Sequence, residues 1–212
     1  MSATSREGRL GRLYLAHAAE SFNISRLLCP DDTEASAKAN SAFVKTVASF
    51  RDLRSPLAFE ASVRRSVIRE CRPSLVQRIG NAGGNEDIES VGSGDPLWET
   101  FVTIPHRRKA ALVLRYFERL SDDQVADVLG CSTGTARTLV NRALADLSEG
   151  GDPARTAGEL VRLFARRTEG TRVPVEPDKN VLKRAARGRR AVVAGAVALA
   201  ASGAVTGVVV LG

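Results

Sequence analysis

The sequence predicts an all-α protein: two small helical domains joined by a flexible linker, followed by an apolar C-terminal helix. Apolar residues recur at spacings of three and four over residues 9–72 and again over 97–148, which is the periodicity of amphipathic helices. Gly and polar residues fill 73–96 with little periodicity, as expected of a linker. Residues 191–212 contain no charged residue, and as a helix they would be just long enough to cross a bilayer.

Composition limits the classes of function. Lys and Arg number 31 against 24 Asp and Glu, and a net charge of +7 suits DNA or an anionic membrane surface as partner. Aromatic residues are only 5%, which favours small cores of Ala, Leu and Val. The three cysteines (Cys29, Cys71 and Cys131) are scattered, which indicates reduced thiols in a cytosolic compartment. We find no nucleophile–base pair, metal-ligand spacing or phosphate loop, so we expect neither an enzyme nor a cofactor.

The N-terminal segment 9–72 is predicted to contain helices separated by two breaks. The stretch from Cys29 to Asp32 contains Pro30 followed by two acids, which suit the start of a new helix. Pro56 suits the first turn of the last helix of this segment. That helix carries Phe59, Val63, Val67 and Ile68 on one stripe, surrounded by Arg64, Arg65, Arg69 and Arg72.

The strongest local pattern is a helix-turn-helix within residues 105–148. A mostly apolar helix is followed by Ser121-Asp122-Asp123-Gln124, in which Ser121 and Gln124 can form a reciprocal capping box. Gly130 is expected to end the short helix that follows, because glycine adopts the left-handed conformation without strain. Ser132 is then the N-cap of the next helix.

That next helix divides into an apolar stripe and a polar face. The stripe consists of Ala136, Leu139, Val140, Ala143, Leu144 and Leu147. Arg137, Thr138, Asn141 and Arg142 lie opposite, and such side chains contact base edges and phosphates in a major groove. The alternative is a plain helical hairpin inside a bundle.

Residues 104–147 resemble region 4 of bacterial sigma factors of the extracytoplasmic-function class, whose pattern is roughly LPxxxRxVLxLRYxExLSxxEIAxxLGxSxGTVKSRLxRALxxL. The resemblance implies a domain that binds the minus-thirty-five promoter element. It implies that the following residues face that DNA: Ser132, Thr133, Thr135, Arg137, Thr138, Asn141 and Arg142.

The N-terminal half is similar to region 2 of the same family. Leu13–Ala18 (LYLAHA) resembles its LYxxHA opening, and Phe50–Arg72 resembles FRxxxxPRAWLYRIARNLAxDxxR. The resemblance implies that 50–56 captures a flipped base of the minus-ten element and that Arg64, Arg65 and Arg69 face the melted strand. It also implies a core RNA polymerase contact through Ala37, Asn40 and Phe43, although Ala37, Lys38, Ala39 and Asn40 stand where the family has DLVQ.

The C-terminal part is predicted to be a tether over 149–182, containing a short helix over 154–167, and then a basic flank with a transmembrane helix over 183–212. The basic residues before the uncharged run predict a cytosolic N-terminal side. Gly203 and Gly207 form a GxxxG helix-packing pattern. The protein is therefore expected at the cytoplasmic face of the inner membrane, or in the cytoplasm without insertion. The alternative for this run is an apolar helix docked on a domain or partner.

The expected function is that of a sigma factor with core RNA polymerase, promoter DNA, an anti-sigma factor and the membrane as partners. Two alternatives remain open. A membrane-anchored helix-turn-helix regulator would use the same DNA-binding helix without acting through core polymerase. A degenerate factor that sequesters a partner would need neither DNA nor initiation.

Overall fold

Every regular element in the part of the chain that the structure describes is helical. The computed structural model describes residues 3–29, 31–49, 56–73, 94–148 and 151–170, together with Val181 and Lys183. The N-terminal half contains α1 (Ala3–Leu28), α2 (Asp32–Ser49) and α3 (Pro56–Glu70). The second half contains α4 (Pro96–Thr103), α5 (His106–Leu112), a π-helical turn (Val113–Phe117), α6 (Asp122–Leu129), α7 (Thr133–Ser148) and α8 (Pro153–Thr168). The all-α prediction is confirmed for these residues.

Helices α1, α2 and α3 pack around an aromatic cluster. Phe43 stands edge-on to Tyr14, with ring centroids 5.1 Å apart, and to Phe59 at 6.3 Å. Phe59, Val47 and Val67 are fully buried, so the predicted apolar stripe of α3 faces inward, toward α2. The three helices therefore share one core.

Polar contacts fix α2 against α3. The hydroxyl of Thr46 lies 2.9 Å from that of Ser66, and both residues are buried. At the outer edge, Glu70 accepts hydrogen bonds from Lys45 at 2.7 Å and from Ser41 at 2.9 Å. Although burial alone would raise it, these bonds and the Lys45 charge lower the pKa of Glu70.

Two Asp-Pro pairs start helices in the second half. Asp95 caps α4 by accepting from the amide of Leu97 at 3.1 Å, and Asp152 caps α8 by accepting from Ala154 at 2.9 Å. In each case proline occupies the first helical position, where its missing amide proton costs nothing. The sequence before each helix therefore determines where it begins.

Helix α8 occupies about half of the segment predicted to be a tether. It buries Leu160, Leu163 and Phe164, and Phe164 contacts Phe101 edge-on at 5.2 Å. The guanidinium of Arg167 lies 4.2 Å from the ring centre of Trp98. The helix expected over 154–167 is therefore present, with one more residue at each end, and its amphipathic stripe packs on the core around α4.

The two halves pack against each other and share one continuous apolar core. Helix α3 contacts α6, and α1 contacts α5 and α8. The sequence predicted two domains separated by a flexible linker, and this arrangement differs in that the domains touch. Residues 74–93, which hold most of the predicted linker, lie outside the described residues.

The predicted transmembrane helix also lies outside the described residues, since 184–212 are not among them. Within the described part of the chain, no helix is both long and apolar enough to cross a bilayer.

Candidate nucleic-acid interface

Helices α6 and α7 form the predicted helix-turn-helix, and the predicted capping box is present. Ser121 Oγ accepts from the amide of Gln124 at 3.3 Å, and Gln124 Oε1 accepts from the amide of Ser121 at 2.9 Å. Gly130 ends α6 in the left-handed region, with φ 63° and ψ 50°. These local signals fix the length of α6 and the sharp turn that follows.

Helix α7 begins as predicted after Ser132, whose Oγ accepts from the amide of Thr135 at 3.2 Å. Its predicted apolar stripe faces inward: Leu139 is half-buried and the other five residues are buried, namely Ala136, Val140, Ala143, Leu144 and Leu147. The packing of this stripe turns the opposite face of α7 toward solvent.

The exposed face contains six of the seven residues predicted to contact the minus-thirty-five DNA: Ser132, Thr135, Arg137, Thr138, Asn141 and Arg142. The seventh, Thr133, is half-buried and donates a 2.6 Å hydrogen bond to Asp123. Thr138 donates at 2.8 Å to the Gly134 carbonyl. We call the six exposed residues the α7 face.

Arg137 is held by an acid on the preceding helix. Its Nε donates to Oδ2 of Asp122 at 3.0 Å while the Arg137 side chain stays 65% exposed. Asp122 also lies 3.8 Å from Nε of Arg115. Because Nε is used by the acid, the terminal amino groups of Arg137 remain as donors for a ligand. This contact between Asp122 and Arg137 was not predicted, because spacing in the sequence gives no signal for it.

The three arginines of α3 predicted to face the melted strand have different surroundings. Arg69 is exposed in the last turn. Arg65 is exposed but donates through Nη2 to the carbonyl of Asp127 at 2.6 Å, so it covers the C-terminal end of α6. Arg64 is only 15% exposed and forms ion pairs within the protein. In this arrangement the interior contacts of Arg64 differ from the open, strand-facing position that was predicted.

Three carboxylates surround Arg64. Oε1 of Glu60, on the same helix, lies 2.6 Å from Nη2 of Arg64, and Glu20 of α1 is in direct contact with Arg64. Glu118, from the second half, accepts from Nε at 3.0 Å and lies 2.9 Å from Nη2. Burial opposes the charge of Arg64, but the carboxylates raise its pKa. We call these four residues the Arg64 cluster.

Glu20 is the carboxyl of this cluster whose titration is most altered. Burial, and then the hydrogen bond and charge of Glu118, raise the pKa of Glu20 to about 8. Neutral pH therefore favours the protonated form of Glu20, which has Glu118 as a hydrogen-bond partner. Arg64 Nε has a single proton, which it gives to Glu118, and Oε1 of Glu20 has no hydrogen-bond partner among the described residues.

The π-helical turn brings Glu118 to this position. The amide of Glu118 bonds to the carbonyl of Val113, five residues back, so the chain completes a wider turn than an α-helix would. Arg119 then adopts φ 56°, a left-handed conformation that is strained for a residue with a side chain. Neither feature was predicted, because the apolar pattern of this segment fits a continuous α-helix.

His106 makes a further contact between the halves. Its Nε2 lies 2.9 Å from the carbonyl of Ile68 in α3, so we assign the proton to Nε2, and the buried Nδ1 has no hydrogen-bond partner in the part of the chain that the structure describes. Burial is the main cause that lowers the pKa of His106. The ring is accordingly neutral at physiological pH.

The three residues predicted to contact core polymerase do not lie on one surface. Ala37 is exposed, and Asn40 is half-buried and accepts from the hydroxyl of Tyr14 at 2.8 Å. Phe43 is 3% exposed and lies in the core. The prediction is corrected for Phe43: in this structure its ring supports α2 from inside, where a partner protein cannot touch it.

Comparison with known proteins agrees with the helix-turn-helix geometry. Residues 96–147 match the family model described as Sigma-70, region 4. The chain is 25% identical over 134 residues to the RNA polymerase sigma-E factor of Streptomyces avermitilis, a match covering 59% of this chain and 75% of the relative. It is 27% identical over 108 residues to the RNA polymerase sigma factor SigV of Bacillus subtilis, covering 47% of this chain and 65% of the relative. No solved structure matches the chain.

Residues 96–147 are thus similar to sigma-70 region 4, and within them the second helix of the helix-turn-helix exposes one face. The similarity to the sigma-E and SigV factors extends over 134 and 108 residues, which is more than the residues matched by that model.

Proposed function

We propose that this protein is a sigma factor that binds core RNA polymerase and directs it to specific promoters. The observation that carries the proposal is the α7 face, a row of exposed Arg, Thr, Asn and Ser side chains on the second helix of a region 4 helix-turn-helix. No covalent step is required of the protein, because its task is to bind, position and hold DNA.

In this proposal, the α7 face contacts the minus-thirty-five element through the major groove. Arg137 is the central donor, since Asp122 fixes its Nε and leaves two amino groups for the acceptors of a guanine or a phosphate. Asn141 and Arg142 extend the contact along the helix, and Ser132 and Thr135 lie at its N-terminus, where backbone amides favour phosphate.

The N-terminal half has the second task. Helix α3 faces the melted minus-ten strand through Arg69 and, when they are released from their contacts with the second half, Arg64 and Arg65. The exposed side of α2 around Ala37 contacts core polymerase. An anti-sigma factor that covers either surface would silence the protein.

The C-terminal residues 183–212 are proposed to tether the factor to the inner membrane, on the strength of their composition alone. Cell fractionation tests this part separately. Full-length protein found entirely in the soluble fraction would end the tethering proposal and leave the DNA-binding proposal intact.

A second candidate function is a membrane-anchored regulator that binds DNA without acting as a sigma factor. The composition of α2 favours it, because Ala37, Lys38 and Asn40 provide no acidic side chain where the family has one.

Co-elution of the full chain with core RNA polymerase in gel filtration separates the two functions. The sigma proposal expects a stable complex, which Arg137→Ala leaves intact while weakening binding to promoter duplex. Free elution of the chain at micromolar concentration, with duplex binding retained, would favour the regulator.

A further inference from the structure

Two of the three cysteines lie together at one end of the N-terminal half. Cys29 directly follows the last residue of α1, and Cys71 directly follows the last residue of α3. Both are free thiols and both are buried, whereas Cys131, the third cysteine, is half-buried in the turn before α7. The thiols of Cys29 and Cys71 are hydrogen-bond partners, so their sulfur atoms face each other although the two residues are far apart in the sequence.

The backbone and the packing hold both cysteines in place. The amide of Cys29 donates to the carbonyl of Ser25 at 2.8 Å, and the amide of Cys71 donates to the carbonyl of Val67 at 2.9 Å. Each cysteine therefore continues the last turn of its helix. Helices α1 and α3 are in direct contact, and both cysteines belong to the shared apolar core. The thiols thus meet across a packed contact, which favours a disulfide, because this bond forms only between side chains that point toward each other.

The two thiols differ in how readily they lose a proton. The hydrogen bond from Cys29 lowers the pKa of Cys71, burial opposes this effect, and the charge of Lys38 supports it. The same hydrogen bond, and then burial, raise the pKa of Cys29. Because the thiolate is the reactive form of cysteine, Cys71 is the nucleophile of the pair and Cys29 is the partner that keeps its proton.

We propose that Cys29 and Cys71 form a reversible oxidation site, at which hydrogen peroxide converts the two thiols into a disulfide between α1 and α3. The proposal is independent of the proposed function, because the reaction needs neither DNA nor polymerase. The pair lies at two helix ends, where local opening costs less free energy than it does in the middle of a helix. A molecule as small as hydrogen peroxide reaches Cys71 through such an opening.

The reaction proceeds in two steps. In the first step the Cys71 thiolate attacks one oxygen of hydrogen peroxide, so that an S–O bond forms, the O–O bond breaks, and the departing hydroxide takes up the proton that Cys71 lost and becomes water. In the second step the sulfur of Cys29 attacks the sulfur of the Cys71 sulfenic acid. An S–S bond forms, the S–O bond breaks, and the Cys29 proton leaves with the hydroxyl group as a second water. The two thiols are oxidised by two electrons, which reduce the peroxide to water.

The first measurement uses the full-length wild-type protein. It is treated with hydrogen peroxide, denatured and alkylated, and mass spectrometry then counts the remaining thiols and identifies linked peptides. We expect the protein to lose two of its three thiols, to yield one linked peptide pair that contains Cys29 and Cys71, and to regain both thiols when dithiothreitol is added. Urea denaturation of the oxidised protein should give a higher midpoint, because the bond restricts the unfolded chain.

Three variants test the assignment of each cysteine, after circular dichroism has verified that they fold. Cys131→Ala is the matched control, since it removes the cysteine outside the pair, and it should form the same disulfide. Cys29→Ala removes the partner thiol and should leave Cys71 as a sulfenic acid, which dimedone traps. Cys71→Ala should form neither the disulfide nor a sulfenic acid at Cys29.

Three results would overturn the proposal. Three free thiols in the treated wild type, or a peptide pair that links Cys131, would show that Cys29 and Cys71 are not an oxidation site. A sulfenic acid at Cys29 in Cys71→Ala, with none at Cys71 in Cys29→Ala, would refute Cys71 as the nucleophile. A urea midpoint that does not rise on oxidation would show that the bond distorts the contact between α1 and α3. The first and third results need only the wild type, so they decide the matter even if a variant does not fold.

Discussion

Arg137 of α7 and Asp122 of α6 are joined by a 3.0 Å hydrogen bond from Nε to Oδ2, and this bond links the two helices of the helix-turn-helix beside the α7 face. The acid also lies in the first turn of α6, where it complements the helix dipole. Asp122 therefore restricts the side chain of Arg137, and under the proposed function this lowers the entropy lost when Arg137 binds DNA.

The first prediction concerns this positioning role. Asp122→Ala should lower the preference for promoter over random duplex by about tenfold, because Arg137 loses its support, and should raise affinity for random duplex, because a repelling charge is gone. Competition binding measures both. Asp127→Ala removes the same charge from the exposed side of α6 and serves as control. If both variants lose preference equally, Asp122 acts through charge alone.

The second prediction concerns the turn before α7. Gly130 has φ 63° and no atom within 4 Å of an added Cβ, so Gly130→Ala should lower the free energy of unfolding by about 1–2 kcal/mol through backbone strain alone. Gly134 in α7 has equal space without a positive φ, and Gly134→Ala should raise the free energy of unfolding by about 0.5 kcal/mol. Urea denaturation measures both. If Gly130→Ala and Gly134→Ala changed the free energy of unfolding equally, the left-handed conformation of Gly130 would be refuted.

The third prediction concerns the strained residue after the π-helical turn. Arg119→Gly should raise the free energy of unfolding by about 1 kcal/mol, since φ 56° is natural for glycine. Arg142→Gly makes the same exchange inside α7 and should lower the free energy of unfolding by about 1 kcal/mol. Thermal and urea melts compare the two. Destabilisation by Arg119→Gly equal to that of the control would indicate an ordinary helical backbone there.

The fourth prediction concerns how closure, meaning the contact between the N-terminal half and the second half, depends on pH. In the closed state, in which the two halves are in contact, burial and then the hydrogen bond and charge of Glu118 raise the pKa of Glu20 to about 8, and Arg64 and Glu60 also face it. A carboxyl with a raised pKa binds more protons in the closed state, so closure is favoured at low pH and weakens as pH rises toward 8, by at most about tenfold per pH unit.

The test is the radius of gyration, measured by small-angle X-ray scattering between pH 6.5 and 8. It is measured on the wild type and on Glu20→Gln, which mimics the protonated acid. His106 is neutral above pH 6.5, and His106 and Lys109, which also have lowered pKa values, are the same in both proteins. The wild type should expand with rising pH while Glu20→Gln stays compact. If the radius of gyration rises with pH equally in the wild type and in Glu20→Gln, a group other than Glu20 causes the expansion.

Sequence reasoning worked where structure is determined by neighbouring residues. The Ser121–Gln124 box, the stop at Gly130 and the cap at Ser132 are contacts within a few residues, and each is present as predicted. The inward stripes of α3 and α7 follow from helical periodicity. The exposed row from Ser132 to Arg142 follows from the same periodicity, although its contact with DNA stays a prediction.

Contacts between distant segments were the part that the sequence did not predict. Arg64 and Glu118 are in contact although 54 positions separate them in the sequence, and the local pattern of neither segment predicts this contact. The π-helical turn depends on packing that overrides a continuous helical pattern. Phe43 was assigned to a partner surface by resemblance, but its neighbours Tyr14 and Phe59 enclose it.

The most direct test of the central claim is transcription by core RNA polymerase supplied with the full-length chain. Promoter fragments are first selected by the wild-type complex, and run-off transcripts are then compared for wild type, Arg137→Ala and core enzyme alone. We predict promoter-dependent transcripts with the wild type, none with core enzyme alone, and a loss with Arg137→Ala of about 1–3 kcal/mol in apparent promoter binding. Absence of any transcript that depends on the chain, from a protein that still binds the selected duplex, would contradict the assignment as a sigma factor.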